Sequence, residues 1–180
     1  IELESTNALA RAVLFTYQLT LSLHFKAWKP LEDGQFDRYV NVREKVFGGH
    51  VSNCSACFLE GFVAFLLYER TRKMRYLRRG RRMTRRIRRW TQAGVLNSVP
   101  FATLLRGESI VANSSNARRR KSEVLQIYKE AVVQATDLKI LQYHAMFTER
   151  FSDVLSRVYG EKDESQTYLR ESINLYGEWQ

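Results

Sequence analysis

Apolar residues recur along this chain at spacings of three and four, and almost nowhere in strict alternation. That period belongs to helices with one face packed, not to half-buried strands. A first helix is expected over residues 4–28, with Ser5 or Thr6 as its cap. Ala10, Val13, Tyr17, Leu21, His24 and Trp28 predict its inward stripe, widened by Leu14 and Phe25. Pro30 and the Glu-Asp-Gly at 32–34 predict a stop and a turn. A shorter helix follows at 35–47, with Phe36, Tyr39, Val40 and Val46 apolar and Gly48-Gly49 closing it. The next helix, 52–70, is apolar nearly all round, which predicts burial between neighbours.

A second group of helices is expected after a loop at 91–100, marked by Gly94, Asn97-Ser98 and Pro100. These run over 101–113, 118–136, 139–159 and 163–176, with a turn and cap supply at 113–116 and Gly160 ending the penultimate one. The fold class is therefore all-α, with about seven to eight helices.

Charge changes the picture at one place. Residues 70–90 read RTRKMRYLRRGRRMTRRIRRW, with twelve Arg or Lys and no acid. Tyr76, Gly80, Met83, Ile87 and Trp90 form one helical stripe in that stretch, so one face packs and the others are cationic. A break near 71–75 is expected, because an unbroken rod of about forty residues would be unusually long. Five pairs of arginines one turn apart (Arg75/Arg79, Arg78/Arg82, Arg81/Arg85, Arg82/Arg86, Arg85/Arg89) cost about 0.2–0.5 kcal/mol each. The helix therefore depends on its packed stripe. Arg75, Arg78, Arg79, Arg81, Arg82, Arg85, Arg86 and Arg89 are the candidate partner-binding residues. Arg118, Arg119 and Arg120 join them, because they are expected to open a helix, where positive charge is unfavourable. The two runs are expected to share a cationic surface.

The net charge of +10 is local, since the chain outside residues 70–89 sums to −2. Seven acids against four bases in residues 149–180 are expected as internal counter-charges to the Arg helix. Two cysteines make no disulfide framework and point to a reducing, intracellular (cytoplasmic) setting. No apolar run approaches the length of a membrane span. The start, IELESTNALARA, has no signal pattern and no initiator Met, so a piece of a longer chain is expected.

Helical hairpins recur at a period of about 40. Glu108 and Glu149 are 41 apart, and Tyr128 and Tyr168 are 40 apart. Such recurrence marks helical solenoids, where stacked pairs bury faces that one pair cannot. Phe58-Leu-Glu-Gly-Phe62, Trp90, Tyr128-x-x-Ala131, Glu149-Arg150 and the segment Tyr168-Leu169-x-x-Ser172-x-x-Leu175-Tyr176-x-x-Trp179 resemble tetratricopeptide-like helical regions. They are most similar to those following the ATPase domain of large multidomain signalling ATPases and kinases. There a segment like Tyr-Leu-x-x-Ala-x-x-Leu-Tyr-x-x-Trp-Gly closes the array. The resemblance covers roughly residues 58–179. It implies a right-handed superhelix of antiparallel helix pairs, a TPR-like α-solenoid forming a single domain over 1–180. Ser172 in place of the usual Ala departs from it, as does the extreme basicity of the Arg helix.

Catalytic chemistry finds no footing. Cys54-x-x-Cys57 with His50 has no second ligand pair, so buried helix cysteines are the better reading than structural zinc. The histidines and cysteines make no triad, Glu149-Arg150 reads as a structural ion pair, and no G-x-x-x-x-G-K-[ST] loop occurs. We therefore expect no catalytic, metal or cofactor site. The expected role is a non-catalytic scaffold binding a protein, an acidic peptide or another domain of the same chain, within a signalling ATPase- or kinase-type protein. The alternative is nucleic-acid or anionic-surface binding through the Arg helix; its aromatics lie on the packing stripe rather than beside the charges, which argues against it.

Overall fold

In a computed structural model, residues 2–46 and 53–179 are described, and every regular element among them is helical. Gly48-Gly49, read above as a helix stop, and His50, set aside above as a zinc ligand, lie outside them. The contacts gather into two compact units, Ile1–Ile87 and Arg88–Gln180.

In the first unit, α1 (Glu2–His24) packs on α3 (Phe36–Val46) and α4 (Asn53–Thr71). Helix α1 contradicts the expected stripe. Ala10, Val13, Leu14, Tyr17, Leu21 and Phe25 are exposed, Phe25 at 78%, while Ala12, Leu19, Ser22 and Leu23 are buried. Both sides of this helix carry apolar residues, so periodicity names two faces and only the neighbours choose between them. The helix also stops at His24 rather than Trp28, because Lys26 takes a left-handed conformation with φ 52°. Pro30 does not end a helix; it lies in a one-turn helix, α2 (Trp28–Pro30), that runs into a π turn at Leu31–Gln35.

Helix α4 is buried on all sides from Ala56 to Leu67, as its composition predicts. Arg72 at φ 56° breaks the chain between α4 and α5 (Met74–Gln92), inside the expected interval. The Thr71 hydroxyl donates to the Leu67 carbonyl, and the Lys73 amide donates to that hydroxyl. Tyr76, Gly80, Met83 and Ile87 of α5 are buried as expected, Trp90 is half-buried, and Leu77 joins the seam. Gly80 sets how closely α5 approaches α4: a methyl group there would lie 2.8 Å from the Phe65 ring.

The second unit holds α6 (Val99–Val111), α7 (Ser114–Arg119), α8 (Lys121–Asp137), α9 (Leu141–Val154) and α10 (Lys162–Glu178). Pro100 sits in the first turn of α6, where its missing N–H costs nothing. The Asn113 side chain caps α7 by accepting from the Asn116 amide at 3.3 Å. Gly160 closes the π turn after α9 at φ 74°. Thr136 near His144 and Lys121 near Glu161 show α8 and α9 running antiparallel. Phe101 against Tyr143 and Glu108 against Arg150 show α6 and α9 running parallel. The aromatic seam runs from Tyr128 stacked on Phe151 at 5.7 Å to Phe151 against Tyr168 at 4.5 Å.

Two glycines test this packing. Gly80→Ala is expected to destabilise by about 1–3 kcal/mol, because the rigid, fully buried Phe65 ring must shift. Gly177→Ala, exposed in α10 with nothing within 4 Å, is expected to stabilise by about 0.5–1 kcal/mol through helix propensity. Thermal or urea unfolding of the two variants, showing shifts of opposite sign, is the check.

Candidate functional site

The Arg helix is divided lengthwise by its own period. One side is the apolar seam described above. Beside it, Arg75, Arg79, Arg82 and Arg86 fall on a flank one helical step round, and three of them meet acids of the first unit. Arg75 pairs with Asp37 at 3.4 Å, and Arg79 with Glu44 at 2.8 Å. Arg82 reaches the same Glu44 at 3.6 Å. Arg86 is half-buried and acts on the Cys57 thiol electrostatically.

The deepest counter-charge is Glu60, fully buried in the middle of α4. Arg43 of α3, itself 1% exposed, donates to one carboxylate oxygen, and Arg79 donates to the other. A buried carboxylate survives only when paired and hydrogen-bonded, and here two guanidiniums supply that. Around it, Arg43 Nη1 lies 3.5 Å from Cys57 Sγ, and that thiol donates to Asn53 Oδ1 at 3.3 Å. The Tyr39 hydroxyl donates to the Ala56 carbonyl at 2.9 Å. Burial pushes the Cys54 thiol up to about 11, and raises that of Cys57 despite the arginines around it. Thiols held protonated in this way are poor nucleophiles and poor metal ligands. Among the described residues, no three His, Cys, Asp or Glu side chains are grouped to hold a metal ion.

The third face of α5 is different. Arg78, Arg81 and Arg85 are exposed and point away from the seam, and none has an acidic partner among the described residues. They follow one another at three and four residues, as does the exposed Arg89 beyond them. The eight arginines proposed on this helix therefore split into a paired flank and an outward ladder.

Arg118, Arg119 and Arg120 are placed otherwise than expected. Arg118 and Arg119 lie in the last turn of the short α7, and α8 begins only at Lys121. Positive charge there suits the helix dipole, so the argument from an unfavourable position is overturned. Arg120 sits between the two helices and grips Glu123 with two bonds of 2.6 Å.

The expected counter-charges are corrected as well. Asp37, Glu44 and Glu60, from α3 and α4, pair with the Arg helix. Acids of residues 149–180 find partners within the second unit. Glu161 pairs with Lys121, Glu164 with Lys129, and Glu149 accepts from the Tyr176 hydroxyl at 3.0 Å. Arg150 is buried and holds the fully buried Glu108 through two bonds of 2.8 Å, while Tyr128 donates to the same carboxylate. Burial alone would raise the Asp153 carboxyl; Arg150 and Arg157 outweigh it and hold it below its usual range. At Glu44 burial is likewise outweighed, by Arg79 first and then Arg82 and Arg43. The sequence contained a signal for Glu60: it is the one charged residue in α4 before Glu69. Glu108, a lone acid among apolar residues of α6, carried the same signal.

No described helix is long and apolar enough to cross a membrane. No family model matches this chain, and neither a curated protein nor a solved structure matches it.

Glu60→Gln leaves two guanidiniums under-compensated in the core and is expected to cost about 3–5 kcal/mol, read by urea unfolding. A pH series checks the exposed end of the same chemistry. Asp153 and Glu44 are lowered in the folded chain, so near the ordinary carboxylate values, about 4, the unfolded chain binds more protons. Stability should then be complete above that range and fall as pH drops through it. Asp153→Asn should flatten that fall, with the unfolding midpoint as the readout.

Proposed function

We propose that this chain is a non-catalytic helical-repeat scaffold that binds another protein or another domain of its own parent. The observation that carries this reading is the internal repetition of the second unit. Phe101 meets Tyr143, Glu108 meets Arg150 and the Ala117 carbonyl accepts from Tyr159, each pair 42 residues apart. Contacts at one offset thus join α6 to α9 and α7 to the π turn after α9, which supports reading the two hairpins as stacked repeats. A right-handed, TPR-like superhelix is the arrangement we propose for such hairpins. The resemblance to regions that follow the ATPase domain of signalling ATPases and kinases supports a docking role inside a larger protein.

The side-chain chemistry points the same way. The buried carboxylates Glu60 and Glu108 are each held by guanidiniums, and the cysteines are held as thiols, which suits a rigid support rather than acid–base or nucleophilic work. The alternative, binding of nucleic acid through the Arg helix, draws on the outward arginines. Its weakness is that Tyr76 is buried and Trp90 half-buried, so neither is laid open beside those charges as a stacking platform.

Selection of a displayed random-peptide library on the folded chain tests the reading, with hydrogen exchange locating where selected peptides bind. Peptides with dissociation constants on the order of micromolar that protect helix surfaces are expected. Enrichment no better than on a heat-unfolded chain, together with salt-sensitive binding of duplex or single-stranded nucleic acid, would sink it.

A further inference from the structure

Helix α3 already shows what α5 accepts. Asp37 and Glu44 are seven residues apart, a rise of about 10.5 Å along a helix. They meet Arg75 and the Arg79/Arg82 pair, with Arg75 and Arg82 also seven apart. Pairing advances along both helices in the same direction, so α3 lies parallel to α5 with carboxylates and guanidiniums in register. The outward face repeats this pitch without a partner. Arg78 and Arg85 are seven residues apart with Arg81 between them, all three exposed and without an acidic partner among the described residues.

We infer that Arg78, Arg81 and Arg85 form a docking ladder for an acidic helix of another protein or domain. Its carboxylates would recur at three, four and seven residues. This rests on the protein-binding reading above and names the chemistry of its partner. Three features of the fold carry it. The ladder is rigid, because the seam on the opposite side is anchored by Met83 and Ile87, both fully buried. Arg78/Arg82 and Arg81/Arg85 are like charges one turn apart, a cost that a matching row of carboxylates removes. A guanidinium presents several N–H donors in a fixed plane, and Arg79 on the flank of the same helix uses them to bridge two carboxylates, Glu44 and Glu60, with one bond to each.

Fluorescence anisotropy with a labelled, Ala-rich helical peptide of about 20 residues provides the test. One peptide carries Glu in register at three and four residues; a second has the same composition with Glu spread evenly round the helix. The in-register peptide is expected to bind on the order of tenfold more tightly. The triple variant Arg78→Gln, Arg81→Gln, Arg85→Gln is expected to abolish that preference. A triple variant at the exposed Arg11, Arg38 and Arg170, removing equal charge, is expected to keep it. The Arg→Lys triple at the ladder keeps charge but loses the fork, and is expected to bind weakly; circular dichroism confirms equal helix content throughout. Equal binding of the two peptides, binding that survives the ladder triple, or tighter binding of a duplex DNA at the same salt would each overturn the ladder. Library peptides that bind elsewhere on the chain would leave the scaffold reading standing without it.

Discussion

A carboxylate in a protein core is costly unless it is paired and hydrogen-bonded, and this chain buries one in each unit with its partners around it. Glu60 is enclosed by Arg43 and Arg79; Glu108 is enclosed by Arg150 and Tyr128. Each cluster spans three helices, so the helices must take one relative register for the charge to be compensated. Apolar packing alone is tolerant of slips, because Leu, Phe and Val can exchange neighbours at little cost. The ion pairs remove that tolerance: sliding α5 by one turn would take Arg79 off Glu60 and leave the carboxylate half-bound.

The same constraint explains how a helix so rich in arginine can fold. Its apolar seam closes on α4 through Gly80 and Phe65, and one charged flank is neutralised by Asp37, Glu44 and Glu60. Repulsion is greatest on the outward face, where solvent and salt screen it. Function is then sought on the face that folding has not consumed. In the second unit the equivalent work is done by Arg150 on Glu108 and by Arg150 and Arg157 on Asp153.

Much of this was legible residue by residue. The seam Tyr76, Gly80, Met83, Ile87 and Trp90 could be read because every other position of α5 is charged or polar, apart from Leu77 and the terminal Met74, leaving the 3.6 period almost one apolar solution. Helix α4 could be read because it is apolar all round, and Gly160 because a left-handed residue is needed where α9 ends. Helix α1 resisted the same method. Tyr17 and Leu21 look as suitable for burial as Leu19 and Leu23, and periodicity carries no information about which side has a neighbour. Arg118 resisted for a related reason: a run of bases has the same composition at the end of one helix as at the start of the next, and only the boundary at Arg120 gives it a sign.

From the sequence alone follow the all-helical class, the longer helices up to their ends and the amphipathic division of the Arg helix. These depend on spacing along one helix, which is local. Which acids neutralise which arginines was decided only by tertiary structure, because Arg79 meets Glu44 and Glu60 across 35 and 19 residues and Glu108 meets Arg150 across 42. Coulomb pairing depends on distance in space, and the fold alone sets that distance.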